Sequence, residues 1–195
     1  MIRGGFVLVL LLVGGCVTAP RPQLPPDLVA RQLVLQSLPQ WQVDGRMGVR
    51  FADRGFSGAL RWQQQGELID ANFHGPLGAG AFMLQGTSDA LVIETGRGER
   101  FEYDEPESMM QQQFGWSIPV AAMRYWLLAL PAPGSIEHQE LSADGNLAAL
   151  KQRGWTISYD RYVETARGWM PRKIVLTSPD VTIRLAVHQW NLSAN

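Results

Sequence analysis

From Trp41 the hydrophobic period of this chain becomes two, and with one interruption it keeps that period almost to the end. Trp41, Val43, Met47, Val49 and Phe51 share one parity, and Phe56, Leu60 and Trp62 repeat the pattern after Gly55. Alternation of this kind sends apolar side chains to one face of a strand and polar ones to the other, so the two segments read as an antiparallel hairpin. Leu68 to His74 and Ala79 to Gln85 form a second pair around Gly75-Pro76-Leu77-Gly78, and Ala90 to Glu94 and Glu99 to Tyr103 a third around Gly96-Arg97-Gly98. Later, Trp155, Ile157 and Tyr159 alternate with polar residues, Lys173 to Thr177 follow, and Val181, Ile183, Leu185 and Val187 complete a last hairpin around Ser178-Pro179-Asp180. Eight to ten antiparallel strands are predicted. Such a sheet, apolar on one face, has to curl, close or be covered by helices.

The interruption is helical. Asp104 followed by Glu107, with Pro106 in the first turn and Gly115 as the stop, predicts one short helix; Ser117 is placed to cap a second, Ile118 to Leu130, which Pro131 ends. Val120, Met123, Leu127 and Leu130 lie on one face of the second helix and Trp126 flanks them. A further helix, from a cap at Asp27 to Leu38, precedes the first strand and ends at Pro39.

The amino terminus carries a different signal. Arg3, the apolar run from Phe6 to Val13 and the small residues Gly14 and Gly15 lead to Cys16, the only cysteine in the chain. This is the layout of a bacterial lipoprotein leader, cleaved before the cysteine, whose thiol then receives diacylglycerol. The run is too short for a membrane span, which needs about 20 apolar residues. Residues 1–15 are thus read as leader, 16–26 as the acylated cysteine with a proline-rich extended tether, and 27–195 as a single domain. Without the leader, sixteen basic side chains face eighteen acidic ones, so no basic field exists to hold nucleic acid. No thiol is left for a disulfide or a thiolate metal site. An apolar content of 46% and seven tryptophans can fill a sizeable core or line something larger.

Catalytic chemistry finds no foothold. His74, His138 and His188 fall in separate strand regions with no ligand spacing, so no metal site is expected. Gly115-Trp116-Ser117-Ile118-Pro119 lacks the last glycine of a nucleophile elbow, and Gly78-Ala79-Gly80 lacks the third glycine of a dinucleotide fingerprint. No cofactor is expected and no catalytic residue is named. A lipid-anchored β domain without a catalytic constellation suits a binding or carrier module.

At these residues a family resemblance enters. Trp41 with Gly45-Arg46, the strand Ser57-Gly58 to Trp62, Pro76-Leu77-Gly78, and Ile118-Pro119 leading to Trp126 and Leu130-Pro131 resemble the LolB family of outer-membrane lipoprotein receptors, as do Trp155, Tyr159, Pro171, the last hairpin and Trp190 in their order. The resemblance covers essentially the whole mature chain. It implies an incomplete antiparallel β-barrel, a half-barrel, with helices closing one side over an apolar cavity for the acyl chains of a client lipoprotein. It also implies that the client arrives from the periplasmic carrier LolA and leaves for the inner leaflet of the outer membrane, to which this chain is itself anchored through Cys16. A monomer is expected.

The loop Gly75, Pro76, Leu77 and Gly78 would project Leu77 from a hairpin tip, with Pro76 and Gly78 at turn positions that suit them. A lone exposed leucine is ordinary; the resemblance gives this one a role in inserting the client into the membrane. Candidates for the acyl cavity are Trp62, Phe73, Phe82, Leu84, Trp116, Met123, Leu127, Ile157, Ile183 and Leu185, chosen by strand parity or helix face, with plain core packing as the competing role for each. Arg46 reads as a surface arginine or as one that steers an acidic patch of the carrier. A scaffolding lipoprotein with a filled interior, and a lipid-modifying enzyme with polar groups inside its pocket, are the other two readings of such a chain.

Overall fold

The computed structural model describes residues 28–76, 80–114 and 117–192. One helix, α1 (Leu28–Gln36), leads into six strands: β1 (Gln40–Phe51), β2 (Arg54–Gln65), β3 (Leu68–His74), β4 (Phe82–Gly86), β5 (Leu91–Thr95) and β6 (Arg100–Tyr103). Two helices follow, α2 (Pro106–Phe114) and α3 (Val120–Leu127). Five more strands end the chain: β7 (His138–Leu141), β8 (Leu147–Gln152), β9 (Trp155–Thr165), β10 (Gly168–Thr177) and β11 (Val181–Asn191). All eleven form one antiparallel sheet in the order β6-β5-β4-β3-β2-β1-β11-β10-β9-β8-β7, so the first and last long strands pair at its centre and the two halves spread outward from that seam. The mainly β, open half-barrel is the architecture that the alternation and the family resemblance imply.

Two glycines shape the bend, Gly45 at the seam and Gly58 between β2 and β3. At Asp44/Gly45 the β1–β11 register shifts, with Asp44 opposite Gln189 and Gly45 opposite Val187, so His188 is the extra residue of a β-bulge. A Cβ on Gly45 would collide with the Ala186 carbonyl oxygen, and one on Gly58 with the His74 carbonyl and the Phe73 ring. Close backbone approach at both positions lets the sheet bend sharply where a flat ladder would keep its strands apart. The bend makes one face concave, and that face gathers the alternating apolar residues into a single core: Trp41, Val43, Val49, Leu60, Trp62, Ile69 and Phe73 from the first half, Ile157, Ile174, Leu176, Ile183 and Leu185 from the second.

The helices cover this face. The α3 helix lies over β8 and β9: the Trp126 indole is 6.3 Å from Trp155, and the Tyr159 hydroxyl donates to the Trp126 carbonyl at 3.0 Å. It begins at Val120 behind Pro119, with no side-chain cap, and ends at Leu127. The expected cap at Ser117 and extension to Leu130 are therefore corrected. Pro119 supplies the carbonyl that accepts from Ala122 and Met123, and Ala129 at φ +54 turns the chain so that the Leu130 N–H bonds the Tyr125 carbonyl. Trp126 is fully buried, not a flanking residue.

Antiparallel order sorts the turns to two ends. The Ala52–Asp53 turn, the 75–81 connection and the 96–99 and 178–180 turns share one end, and the Gly96 N–H donates to the Ala81 carbonyl there at 2.6 Å. The other end holds the 66–67, 87–90 and 166–167 turns and α1, whose exit is tied down by the Gly66 N–H to the Pro39 carbonyl at 2.9 Å. Arg31 of α1 is 4% exposed. It donates to Asn146 Oδ1 at 2.8 Å and to the Trp169 carbonyl at 2.6 Å, and sits 5.5 Å from the Tyr162 ring centre. Burial lowers the Arg31 pKa and raises that of Tyr162. Two neutral acceptors and an aromatic ring hold this guanidinium, and with it α1, against the sheet without any carboxylate.

Candidate functional site

The concave face is the candidate site, and strand parity sets most of its lining. Phe73 and Ile157 have no exposed surface, and Trp62, Met123, Leu127, Ile183 and Leu185 are buried with them in one contiguous cluster. Phe82 and Leu84 are half-buried against the same cluster. Trp116 lies outside the described residues, as do Leu77, Gly78, Cys16 and the tether; Gly75 and Pro76 are described at the mouth of the loop. The described cavity candidates thus lie in or against one cluster, where they pack as core.

Coverage is uneven across the face. Over β8 and β9 it is covered by α3, through Trp126 against Trp155, Tyr159 and Gln152, and by the segment that follows it. Around the start of β2 and on β4 and β5 the apolar side chains Phe56, Phe82, Leu84 and Ile93 are only partly covered, as are Ile118 and Tyr125 from the helical layer, whereas Leu60, Trp62, Ile69, Phe73 and Leu91 beside them are buried. Phe56, Phe73 and Phe82 pack together here, with ring centres 5.0 to 6.3 Å apart. Aromatic rings at such spacing hold a shape yet bury much apolar area each. This side borders the 75–81 connection.

Two surface clefts flank the site. One of about 880 Å³ wraps the Ala52–Asp53 turn and reaches Pro76 and Gly80; another of about 520 Å³ lies at the opposite end between Gln40–Gln42, Gln63–Gln65 and Gln85. Neither is lined by any of the cavity candidates. Among the described residues no group of histidine, cysteine or acidic side chains could hold a metal ion, and no helix is long and apolar enough to cross a membrane.

Two polar features of the site carry no pattern a linear reading could find. Gln152, with no exposed surface, accepts from Trp126 Nε1 at 3.1 Å and the Ala132 N–H at 3.0 Å through one oxygen, and its amide donates to the Ala132 carbonyl at 2.7 Å. It holds the end of α3 to β8. Glu107 of α2 is half-buried and accepts from the Ala121 N–H in the first turn of α3, joining the two helices. Burial pushes its carboxyl up, against the opposing pull of Arg153 and that hydrogen bond. The native state therefore holds this proton more tightly than the unfolded chain. Its contribution to stability is present at low pH and is lost as pH rises from the ordinary carboxylate range through the raised value. Glu107→Gln is expected to flatten this dependence while keeping an acceptor for Ala121, measured as the unfolding free energy in urea over a pH series; an unchanged slope would show that Glu107 is not its source.

The arrangement is an apolar concave wall, covered by α3 over β8 and β9 and only partly covered around Phe56, Phe82, Leu84 and Ile93. Comparison with known proteins agrees with it. A family model described as outer membrane lipoprotein LolB matches residues 39–190. Among relatives, an outer-membrane lipoprotein LolB of Chromohalobacter salexigens is 38% identical over 191 residues, covering 96% of this chain and 89% of the relative. One from Pseudomonas putida is 35% identical over 190 residues, covering 95% and 93%. Among solved structures, a LolA superfamily protein from Nitrosomonas europaea superposes with a TM-score of 0.51 at 9% identity, covering 85% of this chain and 94% of that one. A putative outer membrane lipoprotein-sorting protein domain from Vibrio parahaemolyticus also gives 0.51, at 8% identity and with 85% and 90% covered. At such identities the structural likeness speaks to fold alone.

Proposed function

This chain belongs to the LolB family of outer-membrane lipoprotein localization factors, which are not enzymes, and from that premise we propose that it accepts acylated lipoproteins from a LolA-type carrier and inserts them into the inner leaflet of the outer membrane. The observation that carries the reading is the concave apolar wall with its partly covered side around Phe56, Phe82, Leu84 and Ile93. Acyl chains are worth about 0.8 kcal/mol per methylene removed from water, so three chains make transfer through water prohibitive and transfer between two apolar walls easy. No nucleotide is needed if each acceptor holds the chains better than the donor. Chains enter where Phe82 and Leu84 are partly covered, and the packed side chains of the wall part to admit them. Met123 and Met83 are adaptable enough to follow different chain positions.

Release is assigned to the loop Gly75-Pro76-Leu77-Gly78, with Leu77 dipping into the leaflet. Cys16 is assigned the anchor. The chain from the anchor joins α1, at the end opposite the loop. Residues 16–26, if extended at ~3.1 Å each, reach roughly 34 Å, close to the ~40 Å length of the twelve-residue β1. A tether of that reach leaves the loop end free to meet the leaflet that holds the anchor.

The test offers an acylated client, bound to purified carrier, to a Cys16→Ala form exported behind a cleavable leader. The expected result is acceptance at the rate of the native protein with loss of outer-membrane fractionation. A form that accepts no client would overturn the division of labour between anchor and domain, and a native protein that accepts none would overturn the transfer reading.

A further inference from the structure

The 880 Å³ cleft lies at the loop end of the half-barrel and is lined by Val49, Arg50, Asp53, Arg54, Phe56 and Ser57, with Pro76 and Gly80 across from them. Arg50 and Arg54 are exposed, and among the described residues neither is in an ion pair. Asp53 is the one acid in the lining. Strand register sets the two arginines on opposite faces of the hairpin: Arg54 pairs with Phe51, whose parity faces the core, whereas Arg50 pairs with Gly55 and Thr182 on the outer face. A protein docked on either face of the sheet would meet only one of them. A charged layer met end-on would meet both. Placing unpaired cations around one turn does nothing for the fold of a chain that is acidic overall, and guanidinium groups beside a serine hydroxyl match phosphate oxygens.

We propose that this cleft seats the headgroups of anionic phospholipids when the loop end of the domain meets a bilayer. The proposal rests on the reading that this end delivers the client, and adds to it the lipid that orients the domain. Each cation near an anionic surface contributes roughly a fivefold gain in affinity, and the gain fades with salt. The experiment measures flotation of the Cys16→Ala form with phosphatidylcholine vesicles, with and without phosphatidylglycerol. Arg50→Gln with Arg54→Gln is expected to weaken binding to the anionic vesicles about 30-fold, leaving neutral vesicles and client acceptance unaffected, while Arg50→Lys with Arg54→Lys keeps most of the binding. Arg46 and Arg184, also exposed and outside the ion pairs, on the outer face and not in the lining of the cleft, are the controls. A loss below about twofold for the glutamine pair would overturn the proposal. So would an equal loss for Arg46→Gln with Arg184→Gln, which would move the partner to the outer face. Client acceptance is read separately from carrier to domain in solution, so failure of the transfer reading leaves the vesicle result standing.

Discussion

Leu77→Glu is expected to take up an acylated client from its carrier at the native rate and to deliver almost none of it to liposomes. The reason is a difference in what each side chain does at depth. Leucine entering hydrocarbon gains about 0.5 kcal/mol, whereas an acidic residue at the centre of a bilayer costs roughly 3 kcal/mol, together a factor of a few hundred in the population of inserted loop. Uptake needs none of this, because the concave wall assigned to hold the chains is built from apolar side chains of the strands and α3. Leu77→Ile keeps the apolar character and should deliver normally. The measurement is a two-stage assay, carrier to domain and then domain to liposomes, with both stages read in the same variant. Normal delivery by the glutamate variant would sink the role given to Leu77.

The second large effect is on stability. Gln152→Leu keeps nearly the same volume and removes all three hydrogen bonds of a side chain with no exposed surface. It leaves the Trp126 indole N–H, the Ala132 N–H and the Ala132 carbonyl without the partner they now share. Buried groups stranded in this way cost about 1–3 kcal/mol each, and partial rearrangement of the segment after α3 recovers some of it, so a loss of about 3–5 kcal/mol is expected. Against a total of about 5–15 kcal/mol for a domain of this size, that leaves little. Urea unfolding gives the number. A loss under about 1 kcal/mol would mean that Gln152 is not what holds α3 over β8. Because α3 covers the concave face over β8 and β9, the variant that remains folded is also expected to release bound acyl chains faster than the native protein.

How far the sequence could be read depended on the kind of residue. Strands with clean alternation were legible: Leu68–His74 coincides with β3, and the segment from Trp41 to Phe51 matches β1 to within one residue. The first hairpin turns at Ala52–Asp53, and Gly55 lies inside β2, since a two-residue turn needs no glycine when Ala52 accepts φ +46. β7 and β8 carry no such signal. His138-Gln139-Glu140-Leu141 is a polar edge strand with a bulge, and it shows no buried parity because neither of its faces is covered. Leu147 to Gln152 buries both Leu150 and Gln152 under α3, which breaks the apolar alternation. That is why eight to ten strands were expected and eleven are present.

By itself the sequence determined the class and the site's raw material: an antiparallel sheet with one apolar face, the helices between its halves, the cysteine fit for an anchor, and the family. Those depend on period, spacing and local turn chemistry, all of which are carried by neighbours in the chain. Only the tertiary structure decided that β1 and β11 meet at the centre, that Gln152 and Glu107 fasten α3, that Arg31 is satisfied without an acid, and that Arg50 and Arg54 stand on either side of one turn at the loop end. Each of these joins residues far apart in sequence or set on opposite faces, through hydrogen bonds and charges whose partners become adjacent only once the apolar face has curled and been covered.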